Sequence, residues 1–512
     1  MRAAIAERTA ARQVRFAALH APYSCLVMAG TLADASEKYC IIGAGSSGLA
    51  AAKNFREAGI PFDCLEREDD VGGNWYYGRP ASSVYASTHL ISSKRLTEYT
   101  DFPMPKEWAE FPSHAQAWEY LRSYAKHFGL YEHIQFGMAV ERIEPVGGTA
   151  TSTSSNSLPL MGRGREGWQQ RVPASHPLPS PPLKGEGATT FLNRGWLVRL
   201  ASGEERVYRG VVIANGHNWD PRWPEYPGEF TGESLHSSQY KTPDAMRGKR
   251  VLVVGGGNSG CDLAVEAATH AAAAIQSTRR RYPIVPKFWR GKPIDECMEL
   301  MLWLRAPLWL RRFAGKAVSH LSLGPAERTG VPAADHRLFE SHPVLNSQIH
   351  HHVGHGRLRL RPDVAWFEGR TVHFVDGTSD EVDLIIFATG FKVSFPFIDR
   401  EHLNWRDGAP RLFLNVFHPE RDDLFCIGLI QPDSGQFGIV DDQSRLVARY
   451  LQAKRRDAGR GIPGARWFET LKRGEAPALN GGVRYLSTPR HALEVEHWSY
   501  RRRLRKLWAL LG

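Results

Sequence analysis

Apolar and polar positions along the chain fall into a repeated order: a short apolar run, a glycine-rich turn, then the start of a helix. It occurs at "YCIIGAGSSGLAAA" (Tyr39–Ala52) and again at "VLVVGGGNSGCDLA" (Val251–Ala264). Each predicts a strand, a tight turn and a helix N-terminus. "WEYLRSYAKHFGL" (Trp118–Leu130) has the period of an amphipathic helix, and "VDLIIFATGF" (Val382–Phe391) reads as a buried strand ending in a turn. Strands alternating with helices over most of the length predict an α/β fold.

Two stretches break this order. Residues 1–37 are rich in Ala and Arg and poor in acids. That is the composition of a transit peptide, or of a start placed ahead of the true one at Met28; the second is the expectation, with no part in the fold before Glu37. Residues 147–193 are Ser/Thr-rich and then Pro/Gly-rich without a sustained period. Such a segment cannot bury enough apolar surface to offset its ordering entropy, so it is expected to be a disordered insert without function. It interrupts two strand-like runs, "AVERIEPV" and "GWLVRL", that a short turn would otherwise join. Closure entropy grows slowly with loop length, so an insertion there is tolerated.

The chain has 512 residues, of which 42% are hydrophobic and 23% charged, with a formal net charge of +11. That length buries a large core in two or three domains. No apolar run reaches the roughly 18 residues of a membrane span. Six cysteines (Cys25, Cys40, Cys64, Cys261, Cys297, Cys426) never form a CxxC pair. They speak against a zinc knuckle, a disulfide scaffold or a redox dithiol, and for a reducing cytoplasm. The positive charge is spread along the chain, whereas nucleic-acid binding would call for a longer basic stripe interleaved with aromatics.

The glycine turns carry the chemistry. In the first, Gly43, Gly45 and Gly48 let backbone amides, with Ser46 at the helix start, approach a pyrophosphate at the positive end of a helix. The next strand, "PFDCLE", ends in Glu66, placed to bind ribose hydroxyls. In the second, Gly255, Gly257, Asn258, Ser259 and Gly260 form the turn, and the following strand "AAIQS" runs into Ser277, Thr278, Arg279 and Arg280. Hydroxyls and arginines bind a 2′-phosphate that an acid would repel. The first turn is therefore expected to hold FAD or NAD and the second NADPH, an arrangement for passing reducing equivalents to a bound flavin.

These motifs are accompanied by "FTGESLHSSQY" (Phe230–Tyr240), "EREDDVGGNW" (Glu66–Trp75), "SSKRLTEYTDFPMP" (Ser92–Pro105) and "FATGF" (Phe387–Phe391). In this order, over about residues 38–450, the chain resembles the flavin-containing monooxygenases. The resemblance implies an enzyme with FAD and NADPH in two Rossmann-like domains, the NADPH domain (221–384) inserted in an FAD domain (38–220 and 385–512). It further implies that O₂ adds to the reduced flavin at C4a and that the resulting hydroperoxide oxygenates an amine or sulfide. Gly72, Gly73 and Trp75 would line FAD, Gln443 would lie near the flavin ring, and His236 and Tyr240 would support the link between domains. Related Baeyer–Villiger enzymes end the fingerprint in Trp, where this chain has Tyr240. Two positions depart from the family: Ile91 stands where an asparagine is usual, and Asn215 where threonine is. An isoleucine side chain donates no hydrogen bond, which keeps a peroxide-releasing NADPH oxidase or a non-catalytic redox sensor in play. No catalytic dyad is expected, because the cofactor supplies the chemistry.

Three further stretches are read conservatively. "IHHHVGHG" (Ile349–Gly356) is expected to be an exposed turn and not a metal site. "CMELMLWLRAPLWLRRF" (Cys297–Phe313) is expected to be a buried helix pair walling a channel, with a lipid-facing surface as the alternative. "WSYRRRLRKLWALLG" at the C-terminus is a basic amphipathic helix, so membrane contact is at most peripheral.

Overall fold

The computed structural model describes residues 32–146, 195–406, 408–460, 464–485, 491 and 493–512. The expectations for Met28 and for residues 147–193 lie outside the described residues. In the first domain β1 (Leu32–Ile42) leads into α1 (Ser46–Glu57) and β2 (Phe62–Leu65). There follow α2 (His114–His127), β3 (Ile134–Gln135), β4 (Val140–Pro145), β5 (Trp196–Leu200) and β6 (Glu205–Ile213). The sheet order is β3-β2-β1-β6-β5-β4. The inner strands are parallel, with Ile42 opposite both Leu65 and Ile213. Such strands are buried on both faces and need no polar alternation. Leu32–Ala35 already pair with β6, so the first domain takes in residues ahead of the expected boundary at residue 38.

The second domain contributes β7 (Glu233–His236), β8 (Arg250–Val254), α3 (Asn258–His270) and β9 (Ala273–Ser277). After it come α4 (Ile294–Trp303), α5 (Leu308–Leu323), α6 (Gln348–Gly354), β10 (Leu358–Arg361) and β11 (Leu384–Phe387). Its parallel sheet has the order β10-β9-β8-β11-β7. The boundary expected at 384/385 is corrected, since β11 lies in the second sheet, pairing Leu384–Phe387 with Val251–Val254. The chain then returns to the first domain through β12 (Leu424–Cys426), beside β6, and α7 (Phe437–Arg460), α8 (Gly464–Arg473) and α9 (His497–Leu510). The two crossing segments run side by side, Asp220–Pro221 pairing antiparallel with Phe391–Lys392.

Helix α1 lies between its sheet and α7, and burial extends to its polar residues: Asn54 Nδ2 donates to Asp441 Oδ1 at 2.8 Å. Helix α9 packs Tyr500, Leu504 and Leu507 into the same core, so its apolar face is already covered. The pair α4 and α5 departs from expectation. Ile294 and Gly315 are their only buried residues; Leu300, Trp303, Trp309, Phe313 and Leu321 face solvent and the other large apolar side chains are half-buried. The histidine run is also corrected: it sits on α6, where His350 and His352 are buried, not in an exposed turn.

Beyond a register shift between Val140 and Arg142, strands β4 and β5 pair antiparallel out to Pro145 opposite Trp196, and Val146 N donates to Gly195 O at 2.9 Å. The ends of the 147–193 segment thus meet at hairpin distance. Excising residues 148–193 and joining the strands by a short turn is expected to leave Tm no more than about 4 °C lower. A thermal melt checks this; a larger fall would mean that the segment contributes to the fold.

Candidate active site

Both glycine turns adopt one geometry. Gly43 N donates to Leu65 O at 2.8 Å, and Gly255 N donates to Ser277 O at 2.9 Å. The two glycines have φ of 98° and 137°, a region that disfavours other residues. A Cβ on Gly48 would lie 1.7 Å from Gly43 O, and one on Gly260 2.3 Å from Gly255 O. The third glycine of each motif therefore lets the helix start against the turn. Gly45 and Gly257 are the N-caps of α1 and α3, and neither helix has a side-chain cap, so its first amides are open to a ligand. Two such cradles fit two dinucleotide pyrophosphates.

Around the first cradle, Gly72 and Gly73 take φ of 127° and 53°. A Cβ on Gly73 would stand 3.0 Å from Gly45 Cα, so this loop touches the turn backbone to backbone. Trp75 packs beside it against the main core. Glu66 is buried just past the end of β2. Its Oε2 accepts from Ala44 N at 2.6 Å and its Oε1 from Glu68 N at 3.0 Å. Burial pushes this carboxyl up from the usual carboxylate range, while the two amides favour its ionised form. Gln443 lies on α7. It is fully buried, its Oε1 accepting from Gly428 N at 2.9 Å and its Nε2 donating to Tyr500 Oη at 2.8 Å. Both ends of the amide are thus engaged inside the core, and Gly428 in turn lies so close to the first turn that a Cβ would meet Ser47 Oγ at 2.1 Å.

At the second cradle Asn258 braces the turn, donating to Pro343 O and accepting from Leu345 N at 3.0 Å. Ser259 follows it in the first turn of α3. Ser277 is corrected: it is fully buried and donates its hydroxyl to Pro362 O at 2.6 Å, leaving nothing for a phosphate. Thr278 is partly exposed, with its backbone N bonded to Arg361 O. Arg279 is exposed and Arg280 partly so, and neither makes a hydrogen bond or ion pair among the described residues. These are two guanidinium groups just past the phosphate turn, free of hydrogen-bonded partners among the described residues, with the Asp335 carboxylate near enough to Arg280 to interact electrostatically.

The fingerprint residues hold the seam. His236 is fully buried at the end of β7; its Nε2 lies 3.1 Å from Gly390 O and its Nδ1 2.9 Å from Ser238 Oγ. Burial lowers its pKa, which favours the neutral ring. Tyr240 packs edge-on against Tyr85 of the first domain at 5.7 Å. Next to it, Lys241 Nζ donates to Ser82 O and Val84 O at 2.7 and 3.1 Å. Sequence reasoning missed a further tie, Ser93 N donating to Asp295 Oδ2 at 2.7 Å. The two residues are 202 positions apart with no motif between them, so no sequence signal pointed to it. Ile91 is 38% exposed at the start of the same loop. Asn215 follows β6 and donates from Nδ2 to Ser394 O at 3.4 Å.

Among the described residues one group comes within metal-ligand reach, Asp399, Glu401 and His402. Asp399 is already held by Arg142 at 3.0 Å, so the group is explained without an ion.

The chain matches the family model for flavin-binding monooxygenase-like proteins over residues 36–157 and 199–457. It is 32% identical over 439 residues to flavin-containing monooxygenase 5 of Oryctolagus cuniculus, which covers 81% of this chain and 73% of the rabbit protein. Among solved structures it is similar to cyclohexanone monooxygenase with bound epsilon-caprolactone (TM-score 0.61, 18% identity, 92% of this chain and 98% of that one). It is also similar to a flavin-containing monooxygenase from Stenotrophomonas maltophilia (TM-score 0.56, 20% identity, 82% and 99%).

Gly48→Ala and Gly260→Ala separate the two cradles. Each added methyl would collide with a carbonyl, so each is expected to weaken one nucleotide at least about tenfold while leaving the other within about twofold. Titration of the apoprotein with FAD and with NADP⁺ reads this out. Equal weakening of both ligands by either variant would mean that the cradles do not act separately.

Proposed function

The chain belongs to the flavin-binding monooxygenase-like family, a flavin monooxygenase using FAD and NADPH, and we propose that it oxygenates a nitrogen or sulfur atom of a small molecule with O₂. The observation that carries this reading is the pairing of two equivalent phosphate cradles across one seam, with arginines behind only the second. Bound FAD, reduced by NADPH, supplies the oxygen-activating chemistry.

The protein's part is binding, orientation and exclusion of water. The amides at the N-terminus of α1 would receive the FAD pyrophosphate and Glu66 its ribose hydroxyls. The amides of α3 would receive the NADPH pyrophosphate, and Arg279 and Arg280 its 2′-phosphate, each through charge-assisted hydrogen bonds. His236, Tyr240 and Lys241 fasten the domains along their seam. Support for nitrogen or sulfur as the target is the tyrosine at position 240, since the Baeyer–Villiger relatives end that fingerprint in tryptophan. A second reading is favoured by one residue. Ile91 offers no donor where the family has an asparagine, which suits an NADPH oxidase that releases peroxide.

The test is anaerobic reduction by NADPH, with NADH in parallel, followed at about 450 nm, the flavin's own absorbance. Air is then admitted with a tertiary amine, a dialkyl sulfide or a cyclic ketone. N-oxide or sulfoxide formed in step with NADPH use supports the proposal. Peroxide in step with NADPH use under every condition supports the oxidase, lactone from the ketone the Baeyer–Villiger reaction, and absence of bleaching a non-catalytic protein. In the same assay Arg279→Gln/Arg280→Gln is expected to weaken NADPH at least about tenfold, two charged hydrogen bonds being lost, with NADH changed by less than about twofold.

A further inference from the structure

The two phosphate cradles are linked by a second route besides the paired crossing segments. On the side of the second domain, residues 341–346 are bolted to α3. Asn258, which opens that helix, donates to Pro343 O and accepts from Leu345 N. One turn later Asp262 Oδ1 accepts from Asn346 Nδ2 at 2.7 Å. In a close-packed interior a shift of this segment is a shift of the cradle. In the first domain the counterpart is the chain from Gly428 to Asp433. Gly428 abuts Ser47 at the start of α1, and Gln431–Pro432 pair parallel with Glu494–Val495. Asp433 Oδ1 accepts from His497 N at 2.8 Å, which fixes the segment to α9.

Between these two segments stand His342 and Glu494. The Glu494 side chain is fully buried, and neither of its oxygens makes a hydrogen bond among the described residues. His342 Nδ1 is buried and equally without a hydrogen bond, and it lies 3.7 Å from Glu494 Oε2. Beside His342 is a void of about 10 Å³, lined also by Asp433, Tyr485 and Arg311. Arg311 Nε is a further buried donor with no hydrogen bond. Buried polar atoms without partners are rare, so their meeting at one seam calls for a reason.

The signs are complementary across the gap. Asp433, Glu494 and Glu496 come from the first domain, and His342 and Arg311 from the second. Burial, with Glu496 nearby, pushes the Asp433 carboxyl up to about 7. Glu496 is already engaged, accepting from Trp498 N and Ser499 N at the start of α9. Glu494 is left as the acceptor without a donor, and the nearest basic group is His342 on the other domain.

We propose that His342 and Glu494 are a positioning pair. The gap between them shuts when NADPH draws the domains together, and their hydrogen bond then sets the second cradle against the first. The pair acts through Asn258 on one side and through Gly428 on the other, without itself touching nucleotide. Its effect falls on the reaction because a misplacement of about 1 Å between reacting groups costs as much as about 100-fold in rate.

The test is anaerobic single-turnover reduction of the FAD-loaded full-length protein at saturating NADPH, followed at about 450 nm. Glu494→Met and His342→Leu replace each partner by an apolar side chain. Each is expected to slow reduction at least about tenfold, and the double variant to be no slower than the slower single one. NADP⁺ is expected to bind no more than about fivefold more weakly, the worth of one hydrogen bond, and FAD within about twofold of wild type. Tm is expected to fall by no more than about 4 °C, since neither side chain is bonded before the nucleotide binds. Amide exchange at Leu345 and Gln431, both hydrogen-bonded here, reads the pair without turnover. NADP⁺ is expected to slow that exchange in the wild type and in neither variant. Unchanged reduction in both single variants would overturn the proposal, as would losses that multiply in the double variant. So would a joint fall in FAD affinity and Tm, the mark of a packing role. A wild type that NADPH does not bleach would instead overturn the functional reading, and amide exchange would then decide the pair by itself.

Discussion

The contact on which the two-domain arrangement turns is small: the ring of His236 against the carbonyl of Gly390, at 3.1 Å. Both residues lie at or past the ends of neighbouring strands of the second sheet, His236 closing β7 and Gly390 following β11, where the chain leaves for the first domain. With both crossings in one place, paired through Asp220–Pro221 and Phe391–Lys392, the inserted domain hangs from a doubled hinge. A doubled crossing resists rotation that a single linker would permit. Tyr240 on Tyr85 and Lys241 on the carbonyls of Ser82 and Val84 then fix the angle of closure. The site is thus a product of the linkers as much as of the domains. The relation of the two cradles, which sit on separate sheets, is set by this hinge.

Within each domain the governing constraint is steric and local, which is why it was legible in the sequence. The strand, the turn and the helix that follows must pass within backbone contact, and only glycine at Gly48 and Gly260 permits it. The structure also shows the two domains to be one plan used twice. In each, the strand before the cradle is flanked by the strand after it and by a later strand, β6 in the first domain and β11 in the second. Those later strands end alike, in Ala214-Asn215-Gly216 and Ala388-Thr389-Gly390, with both alanines donating back to the cradle strand, at 3.0 and 2.8 Å. The unusual Asn215 is therefore the counterpart of Thr389, which donates from its hydroxyl to Arg222 O as Asn215 donates to Ser394 O. The duplication also assigns β11 to the second domain, a placement that apolar composition alone could not supply, since a buried strand reads the same in either sheet.

What could not be read from the chain depended on which neighbour each side chain found. Ser277 lies at the right place for a phosphate but turns inward to Pro362 O. Gln443 likewise closes a core bond between Gly428 and Tyr500. A buried amide or hydroxyl goes to whatever partner relieves its desolvation, and sequence spacing does not identify that partner. The α4–α5 hairpin failed in the opposite sense. Its apolar composition reads as core, yet among the described residues Leu300, Trp303, Trp309, Phe313 and Leu321 stay exposed, so composition measured the need for cover and not its source.

Ile91 shows how a local departure can leave the framework intact. The loop it begins is not held through that side chain. Its backbone is held at Ser93, whose N–H reaches Asp295 on the other domain, and Leu90 N donates to Pro112 O at 2.8 Å on the other side. Burial pushes the Asp295 carboxyl up, while the amides of Ser93 and Glu296 favour its ionised form. The loop is thus anchored by backbone amides that any residue at position 91 would leave in place. An isoleucine there offers no side-chain donor, and the contacts that hold the loop to both domains require none.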